Sequence, residues 1–226
     1  MIVLAIDTAT PHVSVAIGGS DGIRGSFSAA AGRRHAETLA PAIALLSAST
    51  GVALSDIDRV AVDVGPGLFT GLRVGLATSA ALATALECPA VAVASVDLLA
   101  YPHLQGPRLV AAVVDARRAE VFWALYRPGS GRVTEPCVAA PEDLAAALAA
   151  LGEDVLAVGD GAARYRDTLA GAGPIEVRDG YPQATDLVAL AAGSDPVAPG
   201  ALRPLYLRQA DVRIGWEQRA PQAAAR

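Results

Sequence analysis

Along the 226-residue chain, apolar and polar positions fall into two periods. Three short stretches open it, IVLAID (2–7), HVSVAIG (12–18) and GIRGSFS (22–28), joined by tight turns, and they predict a β-meander. A helix follows over 34–50, then a strand at 59–65, a helix over 70–87 and a strand at 90–95. Beyond a connector at 101–107 that contains Pro and Gly, the pattern restarts with strands at 108–116, 120–127 and 131–138. A helix at 141–151, a strand at 154–159 and helices near 161–171 and 184–193 complete it. The second half is thus a looser copy of the first. This predicts a duplicated βββαβα fold of the α/β class, with lobes at 1–103 and 104–226 and a cleft between them.

Two helices break the usual surface pattern. No ionisable side chain occurs from Thr38 to Ser55, or from Val74 to Leu86. An exposed helix normally carries a charged face, so either something covers these two or they are an Ala-rich surface with no partner. Gly71, Gly75, Ser79 and Ala83 recur four apart, a stripe of small residues that would let another helix approach closely.

The stretch GPGLFTGLRVG (65–75) is glycine-rich, yet the whole chain lacks lysine, so a GxxxxGK[ST] phosphate loop is excluded. It predicts a strand-to-helix turn through Gly65, Pro66 and Gly67, with Thr70 capping a helix that starts at Gly71. Phe69 is expected to fold onto the core, or to anchor a partner if exposed.

Charge and cysteine usage narrow the setting. A formal net charge of −5 does not suit a protein that grips nucleic acid by itself. Cys88 and Cys137 form no disulfide framework or CxxC, which implies a reducing cytoplasm. The first apolar run meets Asp7 too early for a signal peptide, and no uninterrupted apolar run is long enough to span a membrane.

Six segments together resemble the TsaB family, also called YeaZ: LAIDTAT at the start, RRHAETLAP (33–41), GPGLFTGLRVGLA (65–77), DARRAEVFWA (115–124), GDGA (159–162) with Tyr165 after it, and PLYLRQAD (204–211). The resemblance implies an RNase H-like, actin-like fold of the ASKHA superfamily. It also implies a subunit role in making N6-threonylcarbamoyladenosine at adenosine 37 of tRNA. The implied partners are a TsaD-like catalytic subunit and a TsaE-like ATPase, with tRNA met only through the complex and a homodimer when the chain is alone. The two neutral helices would form the interface, through Ala36, Leu39, Ala40 and Ile43 on the first. Phe69, Gly71, Leu72, Gly75, Leu76, Ser79 and Ala83 would serve on the second.

Within that superfamily a working ATPase ends its first strand in an acidic residue followed by a glycine-containing turn. Here Asp7 precedes Thr8, Ala9 and Thr10. Asp7, Thr8 and Thr10 are therefore either a vestigial nucleotide site or a polar strand end capping its own turn. GDGA, with Asp160, is a weak second phosphate turn, and no Gly-Gly adenosine pair occurs near the C-terminus. No tightly bound cofactor is expected, and weak ATP or ADP binding at most. The metal pair of TsaD is HxxxH on the first helix, whereas His35 is followed at that spacing by Leu39. His12 and His103 have no partner legible in the sequence. Asp115, Arg117, Arg118 and Glu120 form a charged corner, either a solvated hairpin or an Arg contact to tRNA or nucleotide. The expectation is a non-catalytic subunit with no metal site; the alternative is an autonomous phosphotransferase using Asp7 and Asp160.

Overall fold

The computed structural model describes residues 1–208. The PLYLRQAD segment therefore passes out of the described residues after Arg208. Strands β1 (Ile2–Asp7), β2 (His12–Gly19), β3 (Gly22–Ala30), β4 (Arg59–Asp63) and β5 (Ala90–Val93) form one sheet in the order β3-β2-β1-β4-β5. A second sheet runs β11-β10-β6-β7-β8, from β6 (Leu109–Arg117), β7 (Glu120–Arg127), β8 (Gly131–Arg132), β10 (Val155–Val158) and β11 (Ile175–Arg178), while β9 (Cys137–Ala139) pairs with β7. In both sheets the first strand is antiparallel to the second and parallel to a later one, β1 to β4 and β6 to β10. The repeat of the sequence pattern is thus a repeat of topology.

Burial follows position in the sheet. Central β1 is covered on both faces, which is why IVLAID reads as a run rather than an alternation, whereas edge strand β3 is exposed at every second position over most of its length. Helices α1 (His35–Thr50) and α2 (Phe69–Ala85) lie side by side on one face of the first sheet. Its other face is covered from the far half of the chain. Helix α7 (Ala184–Gly193) packs Ala184, Leu187, Val188 and Ala191 against Val3, Ala5, Ala16 and Ala61. Helix α3 (Ser95–Ala100) does the reverse, burying Val96, Leu99 and Ala100 against Val110, Ala112 and Val114 of the second sheet. Each sheet therefore owes one cover to the other half of the chain.

Several expectations need correction. The strand expected over 131–138 is split into β8 and β9, and the helix near 161–171 into α5 (Asp160–Arg164) and α6 (Arg166–Ala170); α4 (Pro141–Leu151) stands as read. Helix α3 and strand β11 were not foreseen. Thr70 caps nothing: α2 begins at Phe69, with Leu68 at the cap position and no side-chain cap bond. Cys88 and Cys137 are free thiols. No helix among the described residues is long and apolar enough to cross a membrane.

Candidate functional site

Strands β1 and β4 are parallel neighbours, and each ends in a carboxylate one residue past the Ile6–Val62 pair: Asp7 and Asp63. Both are buried. Asp7 Oδ1 accepts the Ala9 N–H at 2.8 Å, while Asp63 Oδ1 accepts the Gly65 N–H and the Ser95 hydroxyl, each at 2.7 Å. Their remaining Oδ2 atoms receive no donor from any other described group. Burial, then the charge of Asp63, pushes Asp7 well above the usual carboxylate range, and burial brings Asp63 to about 6. One proton held between the two carboxyls satisfies both oxygens and leaves a single buried negative charge.

The turn after β1 is closed by its own chain. Thr8 Oγ1 donates to the Gly71 carbonyl at 2.8 Å, His35 Nε2 bonds the Thr10 carbonyl at 2.7 Å, and the His12 N–H reaches Thr10 Oγ1 at 3.3 Å. Asp7, Thr8 and Thr10 are 0%, 1% and 1% exposed. His35, the first residue of α1, thus ties that helix to the turn and is buried in doing so.

The same turn explains the glycine-rich loop. Leu68 donates its N–H to the Ala9 carbonyl at 2.6 Å, laying the start of α2 against residues 8–10. A Cβ at Gly67 would run into the Ala9 carbonyl oxygen, one at Gly71 into the Thr8 carbonyl oxygen and one at Gly75 into Thr8 Oγ1. Only hydrogen fits at these points, so the glycines let α2 lie close against the Thr8–Thr10 turn of the same chain. The small-residue stripe is therefore not open to a partner helix: Gly71, Gly75, Ser79 and Ala83 are all buried against the chain's own sheet.

The other residues expected at an interface divide in two. Leu39, Ile43, Leu72 and Leu76 are buried core side chains. Ala36 and Ala40 are exposed, as is Phe69 at 44%, which corrects its expected place in the core. Phe69 stacks on Tyr206 with ring centroids 5.4 Å apart, and the Arg73 guanidinium lies 3.8 Å over its ring. Over 40–49 and 77–85 the exposed side chains of the two helices are Ala40, Pro41, Ala44, Leu45, Ala48, Ser49, Ala77, Ala81, Thr84 and Ala85, none of them charged, while Glu37 and Arg73 are exposed about one turn before each stretch. Leu45 is 56% exposed. It was missed in the sequence, although helical spacing places His35, Leu39, Ala42 and Leu46 inward and so leaves Leu45 out.

The second sheet also brings two carboxylates near each other, Asp115 in β6 and Asp160 at the start of α5. The β6–β7 corner holds Arg117, Arg118 and Ala119 in left-handed backbone conformations. Asp115 is buried; its Oδ1 accepts the Arg117 N–H at 2.9 Å, and its Oδ2 meets the Arg117 guanidinium at 3.0 Å. Asp160 Oδ1 accepts the Asp115 N–H at 3.0 Å, and Glu120 pairs with Arg208. The charged corner is thus bonded internally rather than simply solvated. Its carboxyl Asp160 is raised, chiefly by burial. His12 from the first lobe stacks on Tyr181 at 4.0 Å, while His103 lies well away, in a turn at the start of the connector. Among the described residues no three His, Cys, Asp or Glu side chains gather as a metal set.

Residues 23–192 match the family described as "TsaD: tRNA N6-adenosine threonylcarbamoyltransferase". The Escherichia coli tRNA threonylcarbamoyladenosine biosynthesis protein TsaB is 31% identical over 232 residues, covering 96% of this chain and 98% of that protein. The chain belongs to the TsaB family. TsaB-type structure agrees: YeaZ from Pseudomonas aeruginosa superposes with a TM-score of 0.78 at 33% identity, over 91% of this chain and 99% of that one. The 2-hydroxyisocaproyl-CoA dehydratase activator of Clostridium difficile shares the fold alone, with a TM-score of 0.52 at 13% identity over 86% and 94% of the two chains. The architecture is that of the actin-like ASKHA proteins. A TsaB family member takes part in threonylcarbamoyladenosine biosynthesis on tRNA, alongside a catalytic subunit of the TsaD type.

Proposed function

We propose that this chain is a non-catalytic subunit that docks a TsaD-like protein on the outer face of α1 and α2 and so supports threonylcarbamoyl transfer to adenosine 37 of tRNA. The observation that carries the reading is that face itself: two adjacent helices whose exposed side chains over 40–49 and 77–85 are alanines with Pro41, Leu45, Ser49 and Thr84, without a charge. Exposed apolar area is worth about 25 cal/mol per Å² when covered, so the face favours a partner, or a second copy of the chain when none is present. Phe69 and Arg73 sit at its rim, the residue types that anchor interfaces. The lobe at 1–103 thus carries the docking face, and the lobe at 104–226 completes the fold.

The chemistry then lies in the partner. Asp7, Thr8 and Thr10 spend their polar groups on the chain's own backbone and on Asp63, which favours the strand-end reading over a nucleotide site. Any ATP or ADP binding is weak, and a TsaE-like ATPase supplies nucleotide turnover. The complex, not this chain, grips the tRNA, in the cytoplasm.

Reconstitution tests this. Threonylcarbamoyl transfer to tRNA by a TsaD-like subunit should require the chain, and the chain alone should neither modify tRNA nor turn over ATP. ATP hydrolysis by the pure chain that disappears in Asp7→Ala would overturn the reading in favour of a phosphotransferase.

A further inference from the structure

A hollow of about 190 Å³ opens where the connector 101–107 leaves the face of the second sheet. Val110 and Leu156 form its floor, register partners on neighbouring strands, and Pro102, Gly106 and Pro107 form a wall. Three basic side chains converge on it: His103 from the connector, Arg108 from the residue before β6, and Arg178 from the end of β11. One carboxylate organises the two arginines. Glu176 Oε2 accepts Arg108 Nη1 at 2.6 Å and Glu176 Oε1 accepts Arg178 Nη2 at 2.8 Å, which pins the guanidiniums from the sheet side. Glu176 does not line the hollow, and the other guanidinium N–H groups of both arginines make no hydrogen bond to a described residue.

We propose that this hollow binds a phosphate group. Two guanidiniums gathered by one carboxylate present several donors to one tetrahedral anion, the arrangement that phosphate recognition uses. Its volume is far below the roughly 300–1,000 Å³ of sites that enclose whole small molecules, so it takes a group rather than a molecule. Two sources carry that group, a free phosphate and the backbone of an RNA chain, and neither depends on the partner face proposed for α1 and α2.

The imidazole of His103 reports occupancy. Burial, followed by the charges of Arg178 and Arg108, holds it below its ordinary value, which favours the neutral imidazole beside the hollow. The charged groups around it are those two arginines, Glu176 between them on β11, and Asp154 near Arg108. A bound phosphate adds negative charge and favours the imidazolium, so binding raises the His103 midpoint and tightens as pH falls.

The test is an NMR titration of the intact chain, whose three histidines leave His103 assignable by comparison with His103→Gln. At fixed ionic strength, replacing chloride with inorganic phosphate should move the His103 midpoint up by about 0.5 pH or more and leave His12 and His35 in place. A short single-stranded RNA forms the second arm. A response to both ligands assigns a site open to free phosphate; a response to RNA alone assigns the backbone. The double variant Arg108→Gln, Arg178→Gln should lose the response while its near-UV circular dichroism matches wild type. The proposal is overturned if neither ligand moves His103 in the folded wild-type chain, or if a folded double variant responds as wild type does.

Discussion

Asp7 and Asp63 end neighbouring parallel strands as a fully buried carboxyl pair, and among the described residues the one partner left for the Oδ2 atom of each is the other. Removing one member outright leaves a buried group without its partner, which typically costs more than the pair itself contributes. The pair also sets the geometry around it, since Asp7 bonds the Thr8–Thr10 turn and Asp63 bonds both the glycine loop and α3.

If Asp7 holds the shared proton, an amide replaces it in shape and in donor. Asp7→Asn should therefore melt within a few degrees of wild type at neutral pH, whereas Asp7→Ala should lose on the order of 1–3 kcal/mol. Equal losses in urea titrations of the two variants would show that Asp7 is ionised in the folded chain.

The pH dependence follows from Asp63. Its folded value of about 6 lies above the ordinary 3.8, so the folded chain holds a proton that the unfolded chain releases. The stabilisation is complete below about pH 4 and is lost as pH rises through about 6. Denaturation midpoints measured from pH 5 to 7.5 should fall with rising pH. A flat or rising profile over that range contradicts the assignment.

At Gly71 an added methyl meets the Thr8 carbonyl oxygen, which is backbone and cannot rotate away. Gly71→Ala should cost about 1–3 kcal/mol by overpacking, even though alanine is the better helix former. Partner binding should weaken only as far as the folded fraction does. A Gly71→Ala chain with wild-type melting and lost association would instead place the glycine at the interface.

Leu45→Glu puts a charge on the outer face of α1, where the leucine is mostly exposed. Stability should change by no more than about 0.5 kcal/mol, as for other surface sites. Self-association and binding of a TsaD-like subunit should weaken at least about tenfold, equivalent to about 1.4 kcal/mol. Sedimentation and a binding titration check both halves; unchanged association would move the docking face elsewhere.

Ser79 is fully buried, and its hydroxyl has no hydrogen-bond partner among the described residues. Ser79→Ala removes that unsatisfied group from α2 and should raise stability by about 0.5–1 kcal/mol. A clear loss on thermal melting would mean the hydroxyl is bonded in solution.

The sequence by itself determined the two-lobed α/β repeat, because each strand and helix carries its own period and the order of elements recurs after residue 107. It also carried the family segments, and the charge-free stretches 38–55 and 74–86 are a matter of composition alone. Helix α3 and strand β11 were not read from the sequence, and their burial comes from the opposite sheet and from β10, contacts that the local pattern does not show. Which side of α2 faces in was decided only by tertiary structure. Spacing four apart places Gly71, Gly75, Ser79 and Ala83 on one side without saying what lies opposite, and the fold sets Thr8 there. Asp63 likewise reads as an ordinary polar strand end; only the parallel pairing of β1 with β4, across residues 56 apart, brings it to Asp7 in the buried interior. Contacts of that kind depend on register between distant strands, which no local pattern of residues encodes.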